Sequence, residues 1–225
     1  MFPVRYYQHN WLIRKINNRN VVRHKDIYKG TLYDLGCGTR PYEDFIGPLV
    51  DRYVGVDWSN TLHEQRMDIV ADLNQPLPIA DRVADTVVCL QTLEHLKEPQ
   101  LLLREAFRIM KPGAKILVTV PFMFHIHEAP YDFFRYTRYG LEHLLGTAGF
   151  VHIDVRPDSG FWATLALKIN YHTFRYGDRL GTWIHWVLAP FWFLSQVFLP
   201  ILDKVDKNMR DTISYCATAQ KPIES

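Results

Sequence analysis

The chain has 225 residues, 48% of them hydrophobic and 22% charged, with 26 Lys and Arg against 24 Asp and Glu. That is ample apolar material for one compact core, and a net charge of +2 argues against a disordered chain, a collagen-like repeat or a nucleic-acid tail. Aromatic residues reach 14%, with 6 Trp, 12 Tyr and 13 Phe, more than a core of this size ordinarily needs.

The charge is unevenly spread: residues 1–29 carry seven Lys or Arg and one acid. This basic N-terminal arm does not read as a signal peptide, because Arg5, Arg14, Lys15, Arg19, Arg23 and Lys25 interrupt every apolar run. It is expected to form an amphipathic helix on the domain, or to be drawn to anionic headgroups or an acidic substrate. From residue 31 short apolar runs alternate with segments of helical period, the pattern of a parallel sheet wrapped by helices. The expected strands are Thr31 to Leu35, Tyr53 to Asp57, Ile69 to Ala71, Thr86 to Leu90 and Lys115 to Val120. A helix through Leu101, Leu102, Glu105, Ala106, Ile109 and Met110 is expected to stop at Lys111-Pro112-Gly113. A second helix runs from Arg138 to Thr147, a sixth strand from Val151 to Val155 and a seventh from Ile213 to Ala219. Between the last two strands lie 57 residues, 156–212, where a tight turn would suffice, so that stretch is an insertion with structure of its own. The folded domain is thus expected over 30–221. Cys37, Cys89 and Cys216 lack any metal or disulfide spacing and suit a reducing cytoplasm.

The strongest local signal is Asp34-Leu35-Gly36-Cys37-Gly38-Thr39 after the first strand, with Asp57 closing the second. Glycines there let a ligand approach the backbone, and an acid about 20 residues on is placed to accept from a ribose diol. A dinucleotide would want a third glycine where Pro41 stands, and its pyrophosphate would be repelled by Asp34. A ligand with an ammonium group and a sulfonium would be attracted, which favours S-adenosylmethionine over NAD. Asp72-Leu73 adds an acceptor and an apolar wall for an adenine, and Gln91 sits at the carboxyl end of the fourth strand, where open α/β sheets bind ligands.

In Tyr33 to Thr39, Tyr53 to Asp57, Ile69 to Leu73, Asp85 to Cys89 with Leu93-Glu94-His95, and Leu103 to Gly113, the chain resembles the class I S-adenosylmethionine-dependent methyltransferases. Within that family it is similar to the small single-domain members loosely related to ubiquinone and menaquinone methyltransferases. The resemblance implies a Rossmann-like seven-stranded sheet with the last strand antiparallel, flanked by helices, with a helical insertion between strands 6 and 7. It also implies cofactor contacts from Gly36, Gly38, Asp57, Asp72 and Gln91. Arg40 stands where the family often has a third glycine, and is a candidate to face the cofactor carboxylate.

Residues 121–137 pack two His, two acids, an Arg and six aromatics into the exit of a central strand, the expected acceptor side. Methyl transfer is an in-line displacement, so for a hydroxyl acceptor the protein must align it and take a proton. His127 is the first choice of base, with His125 the alternative and Asp132 or Glu128 to orient it; Glu128, Tyr131, Arg135 and Tyr136 are candidates to contact substrate. His95 reads as a packing residue, and no metal site is expected. Trp183 to Leu202 is a run of 20 residues without formal charge, yet a single membrane crossing would strand the seventh strand on the far side. Pro190 and Pro200 are expected to break it into a helical hairpin that packs on the domain or a second subunit, or lies shallowly in a membrane interface.

The expected protein is therefore a cytoplasmic methyltransferase acting on a glycan, lipid-linked or amphipathic hydroxyl. Peripheral membrane contact is expected at the inner face through 160–202 and the basic arm, with homodimerisation as a further expectation and no nucleic-acid partner. A non-catalytic cofactor-binding module and an NAD(P)-dependent oxidoreductase are the rival readings.

Overall fold

The computed structural model describes residues 1, 3, 5–59 and 66–223, so residues 2 and 4 of the basic arm lie outside it. Seven strands form one sheet in the order β3-β2-β1-β4-β5-β7-β6. They are β1 (Thr31–Leu35), β2 (Arg52–Asp57), β3 (Ile69–Val70), β4 (Ala84–Leu90), β5 (Met110–Pro121), β6 (Val151–Pro157) and β7 (Ser214–Gln220). The first five pair in parallel, whereas β7 runs antiparallel between β5 and β6. Strand order reverses between β1 and β4, which opens a crevice at their carboxyl ends, the usual ligand position of such sheets. The central strands are Val, Leu and Ile rich because helices cover both faces, and Leu32, Leu35, Val87, Val88, Ile116 and Leu117 are fully buried.

Among the described residues seven α-helices surround the sheet: α1 (Trp11–Arg23), α2 (Glu43–Ile46), α3 (Pro99–Ile109), α4 (Arg138–Thr147), α5 (Phe161–Phe174), α6 (Tyr176–Leu180) and α7 (Trp183–Asp206). Thr137 caps α4, its hydroxyl accepting from the Gly140 amide. The expected stop of α3 at Lys111-Pro112-Gly113 is corrected: the helix ends at Ile109, and those residues already lie in β5. Met110 pairs with Ala84, and a register shift before Thr86 absorbs the proline and the left-handed Gly113 as a bulge.

The insertion holds α5, α6 and α7. Pro190 and Pro200 do not break α7, which is continuous over 24 residues. Each proline removes one backbone hydrogen bond, but the polar stripe of the helix is anchored along its length. Gln196 accepts from the Leu12 amide at the start of α1 at 2.8 Å, and Asp203 accepts from the Trp162 and Ala163 amides at the start of α5. Ser195 donates to Asn170 at 2.9 Å and the Trp192 indole donates to Thr173. The helix is inverted relative to an ordinary surface helix, burying Trp192, Ser195 and Gln196 while exposing Trp183, Trp186, Val187, Leu194, Phe198 and Leu202. It is long and apolar enough to cross a membrane, yet only 17% of its most apolar window is buried.

Candidate active site

The turn after β1 is shaped by two left-handed glycines. Gly36 has φ +84°, and a Cβ there would stand 2.3 Å from the Thr92 side chain, so only glycine brings the two strand ends this close. Gly38, at φ +50°, faces open space, which leaves its backbone bare toward the crevice. Asp57 organises this turn: one carboxylate oxygen accepts from the Gly38 amide at 2.6 Å and the other from the Trp58 amide at 2.7 Å. Asp34 is buried and accepts from the Tyr53 hydroxyl. Burial lifts its carboxyl to about 7, against the pull of the Tyr53 hydrogen bond, and the nearby Asp57 charge adds to the rise.

Arg40 does not reach into the crevice. Its guanidinium is ion-paired with Glu43 and Asp68 and lies over the Tyr53 ring, so the contact expected of it with a cofactor carboxylate is corrected to a clasp behind the turn. Asp72 accepts from the backbone amide and side-chain amide of Asn74, at 2.9 and 3.0 Å, while Asn74 in turn accepts from the Lys97 amide. These bonds fix the loop carrying buried Leu73 against the chain that follows β4. Gln91 takes a left-handed conformation as β4 ends, and its side-chain amide nitrogen is buried with no partner among the described residues.

The segment after β5 docks on a single helical turn, Leu93–His95. The Phe133 and Phe134 amides donate to the Glu94 carbonyl, and the Tyr136 hydroxyl donates to that of Leu93 at 2.8 Å. Asp132 sits at the centre, accepting from the His127 amide at 2.8 Å and from both terminal nitrogens of Arg135, which also donates to the His125 carbonyl. Burial raises the Asp132 carboxyl, but the Arg135 hydrogen bonds and the His127 amide outweigh it and hold the group at about 2. His127 and His95 meet edge to face at 4.9 Å between ring centroids. His125 packs on Phe124 and Tyr171; burial, with Arg175 nearby, lowers its imidazole to about 4. Burial and His95 also lower His127, so both imidazoles are neutral at pH 7. Glu94 is fully buried, and burial pushes its carboxyl up to about 8.

One cavity of about 1160 Å³ joins these groups, larger than the roughly 300–1,000 Å³ of common small-molecule sites and roomy enough for two ligands. Asp34, Gly36, Gly38, Asp57, Asp72, Leu73 and Gln91 line one side; His125, His127, Glu128 and Tyr131 line the other. Of the remaining sequence candidates, Asp132 and Arg135 form a half-buried ion pair and Tyr136 is packed into the core, and none of the three lines the cavity. Sequence reasoning missed His95, which does line it, and α1, whose Ile13-Arg14-Asn17 face, with Asn10 just before the helix, forms a wall rather than a mere cover. The signal was present in that i, i+3, i+4, i+7 spacing. A side cavity of about 370 Å³ between Phe124, His125, Leu167 and Tyr171 adjoins the main one.

A family model described as a methyltransferase domain matches residues 7–155. The chain is 32% identical over 94 residues to a Mycolicibacterium smegmatis protein named "Probable S-adenosylmethionine-dependent methyltransferase", covering 39% of this chain and 37% of that one. It is 26% identical over 102 residues to the ubiquinone biosynthesis O-methyltransferase of Pseudomonas paraeruginosa, covering 40% of this chain and 43% of the other. The chain thus spans about two fifths of the length of these curated relatives. Among solved structures, an S-adenosylmethionine-dependent methyltransferase of Archaeoglobus fulgidus superposes with a TM-score of 0.60 at 16% identity, over 92% of this chain and 94% of that one. The [4+2]-cyclase SpnF superposes at 0.57 with 20% identity, over 93% and 82%, so the fold by itself does not fix the reaction.

Proposed function

Because the chain belongs to the methyltransferase domain family, we propose that it transfers a methyl group from S-adenosylmethionine to a hydroxyl of a glycan, lipid-linked or otherwise amphipathic acceptor. The observation that carries the reading is the single cavity with a nucleotide-type half, Gly36, Gly38, Asp57 and Asp72, facing an imidazole-rich half. Asp57 would accept from the ribose hydroxyls, Asp72 and Leu73 would border the adenine, and Asp34 would meet the ammonium group. Pro41 at the cavity edge and the Asp34 carboxylate both disfavour a pyrophosphate, which argues against the oxidoreductase alternative.

On the acceptor side, His127, with His125 as its neighbour, is the group that activates the hydroxyl, and Glu128 and Tyr131 flank the incoming molecule. A neutral His127 imidazole is in the form that can accept the proton. The acceptor oxygen attacks the methyl carbon as the carbon–sulfur bond breaks; the sulfur keeps the electron pair and leaves as a neutral thioether. Arg135 supports the segment through Asp132, and Tyr136 through Leu93, rather than by touching the substrate.

The ammonium and Asp34 give a pH dependence with a definite sign. In the free protein the Asp34 carboxyl holds its proton up to about 7, and an adjacent ammonium favours the charged form. Affinity for S-adenosylhomocysteine is therefore expected to fall as pH drops below 7, by up to about tenfold per pH unit. Asp34→Asn should flatten the profile measured by calorimetry.

The amphipathic acceptor reading draws on α7. Its outward face is apolar, and Tyr6 of the basic arm packs against Phe193 on the same side. Trp residues at headgroup level with basic residues beside them suit a helix lying in an anionic interface, at the inner face of the membrane. The protein should pellet with anionic vesicles, and the exposed pair Trp186→Glu with Phe198→Glu should cut partitioning more than about tenfold. Equal partitioning of the variant, or a dimer that hides this face, sinks the membrane reading. Methyl-labelled S-adenosylmethionine supplied with membrane and glycan extracts should place label in those fractions; label confined to water-soluble small molecules refutes the amphipathic acceptor.

A further inference from the structure

The turn after β4 holds a carboxyl group, Glu94, that does not line the cavity. Neither oxygen of the fully buried Glu94 meets a hydrogen bond from any other described residue; its own backbone amide is the one donor beside it. An unpartnered buried polar group is costly, and in native folds it has a reason. Glu94 Oε1 lies 3.7 Å from Nε2 of His95, and one donor atom each from Glu94, His95 and His127 fall within 4.8 Å of one another.

The surroundings set these atoms up as ligands. His95 Nδ1 is 2.8 Å from the Tyr131 carbonyl, so it carries the ring proton and Nε2 keeps its lone pair. The Asp132 carboxylate stands 3.2 Å from Nδ1 of His127, out of line for a hydrogen bond, as a carboxylate backing the ring. The loop bearing His127 is fastened to the Glu94 turn by the Phe133 and Phe134 amides, so the three residues are held together by backbone.

We propose that Glu94, His95 and His127 bind a divalent first-row transition-metal ion on the acceptor side of the cavity. Two imidazole nitrogens and a carboxylate oxygen are the donor set of open sites that keep a position for water or substrate. Glu128, with Oε2 3.9 Å from Nε2 of His95, borders that position. Tetrahedral ligands stand ~3.4 Å apart, so loading would draw the widest of the three pairs together by up to about 1.4 Å.

What the ion does rests on the methyl-transfer reading; that it binds does not. Bound there, the ion would polarise an acceptor oxygen and lower the hydroxyl pKa, so that the proton could pass to water before the oxygen takes the methyl carbon. With the ion bound, His127 would act as its ligand, and the ion would take the place of the imidazole as the group that activates the hydroxyl.

Chelator-stripped protein without a polyhistidine tag is titrated with Co2+. One equivalent should bind with a visible ligand-field absorption, displaced by Zn2+ and not by Mg2+. His95→Ala, His127→Ala and Glu94→Gln should each lose that absorption, with thermal unfolding showing which variants remain folded. No absorption in the wild type, or equal absorption in the folded variants, overturns the site. S-adenosylhomocysteine binding is measured on the same samples: its absence with the Co2+ site intact refutes the cofactor reading and leaves the metal site standing.

Discussion

Asp57→Ala is expected to weaken S-adenosylhomocysteine binding at least 100-fold. Asp57 fixes the glycine turn by accepting from the Gly38 and Trp58 amides, and the same carboxylate is the acceptor for the ribose diol. Hydrogen bonds to a charged group contribute about 1.5–3 kcal/mol each, so losing two from the ligand costs about 3 kcal/mol or more. At 1.4 kcal/mol per tenfold, that is the stated loss before any loosening of the turn. Asp57→Asn keeps the shape and one acceptor oxygen, and should fall between wild type and Ala. Calorimetry on the three proteins checks the order; a dissociation constant for Asp57→Ala within threefold of wild type would remove Asp57 from the site.

Asp132→Ala should cost about 2–4 kcal/mol of stability. The Asp132 side chain is 1% exposed and its Arg135 partner 23%, so removing the acid leaves a largely buried guanidinium uncompensated and frees the His127 amide. Breaking such a pair costs roughly 3–5 kcal/mol when fully buried, and the exposure of Arg135 lowers the figure. For a domain of this size that is a fall in Tm of roughly 5–15 °C. Replacing both partners with apolar residues, Asp132→Leu with Arg135→Met, should recover most of it, because no lone charge remains. The pH sign follows from a depressed carboxyl: its contribution is complete above about 4, the unfolded value, and is lost as pH falls toward 2. Thermal scans from pH 7 to 2.5 should show the single variant's deficit shrink.

The cofactor half was largely legible in the sequence because its constraints are local. A strand must end where Gly36 and Gly38 turn left-handed, and the bounds of β1 and α4 coincide with the expected ones. The acceptor half depends on contacts between distant segments. Nothing near His95 in the sequence announces that Tyr131 will fix its tautomer, or that Glu94 will be fully buried with no side-chain hydrogen bond among the described residues. Prolines read one at a time implied breaks in α7, whereas Gln196 and Asp203 tie that helix to the starts of α1 and α5. The aromatic excess of the composition falls on the same covering elements, the segment after β5 and the insertion, rather than on the sheet.

Titrating the wild-type protein with S-adenosylhomocysteine by calorimetry tests the central claim most directly. Saturable binding at one site, weakening as pH drops below 7, is the predicted result. No heat with S-adenosylhomocysteine, or saturable binding of NADH in its place, would contradict it.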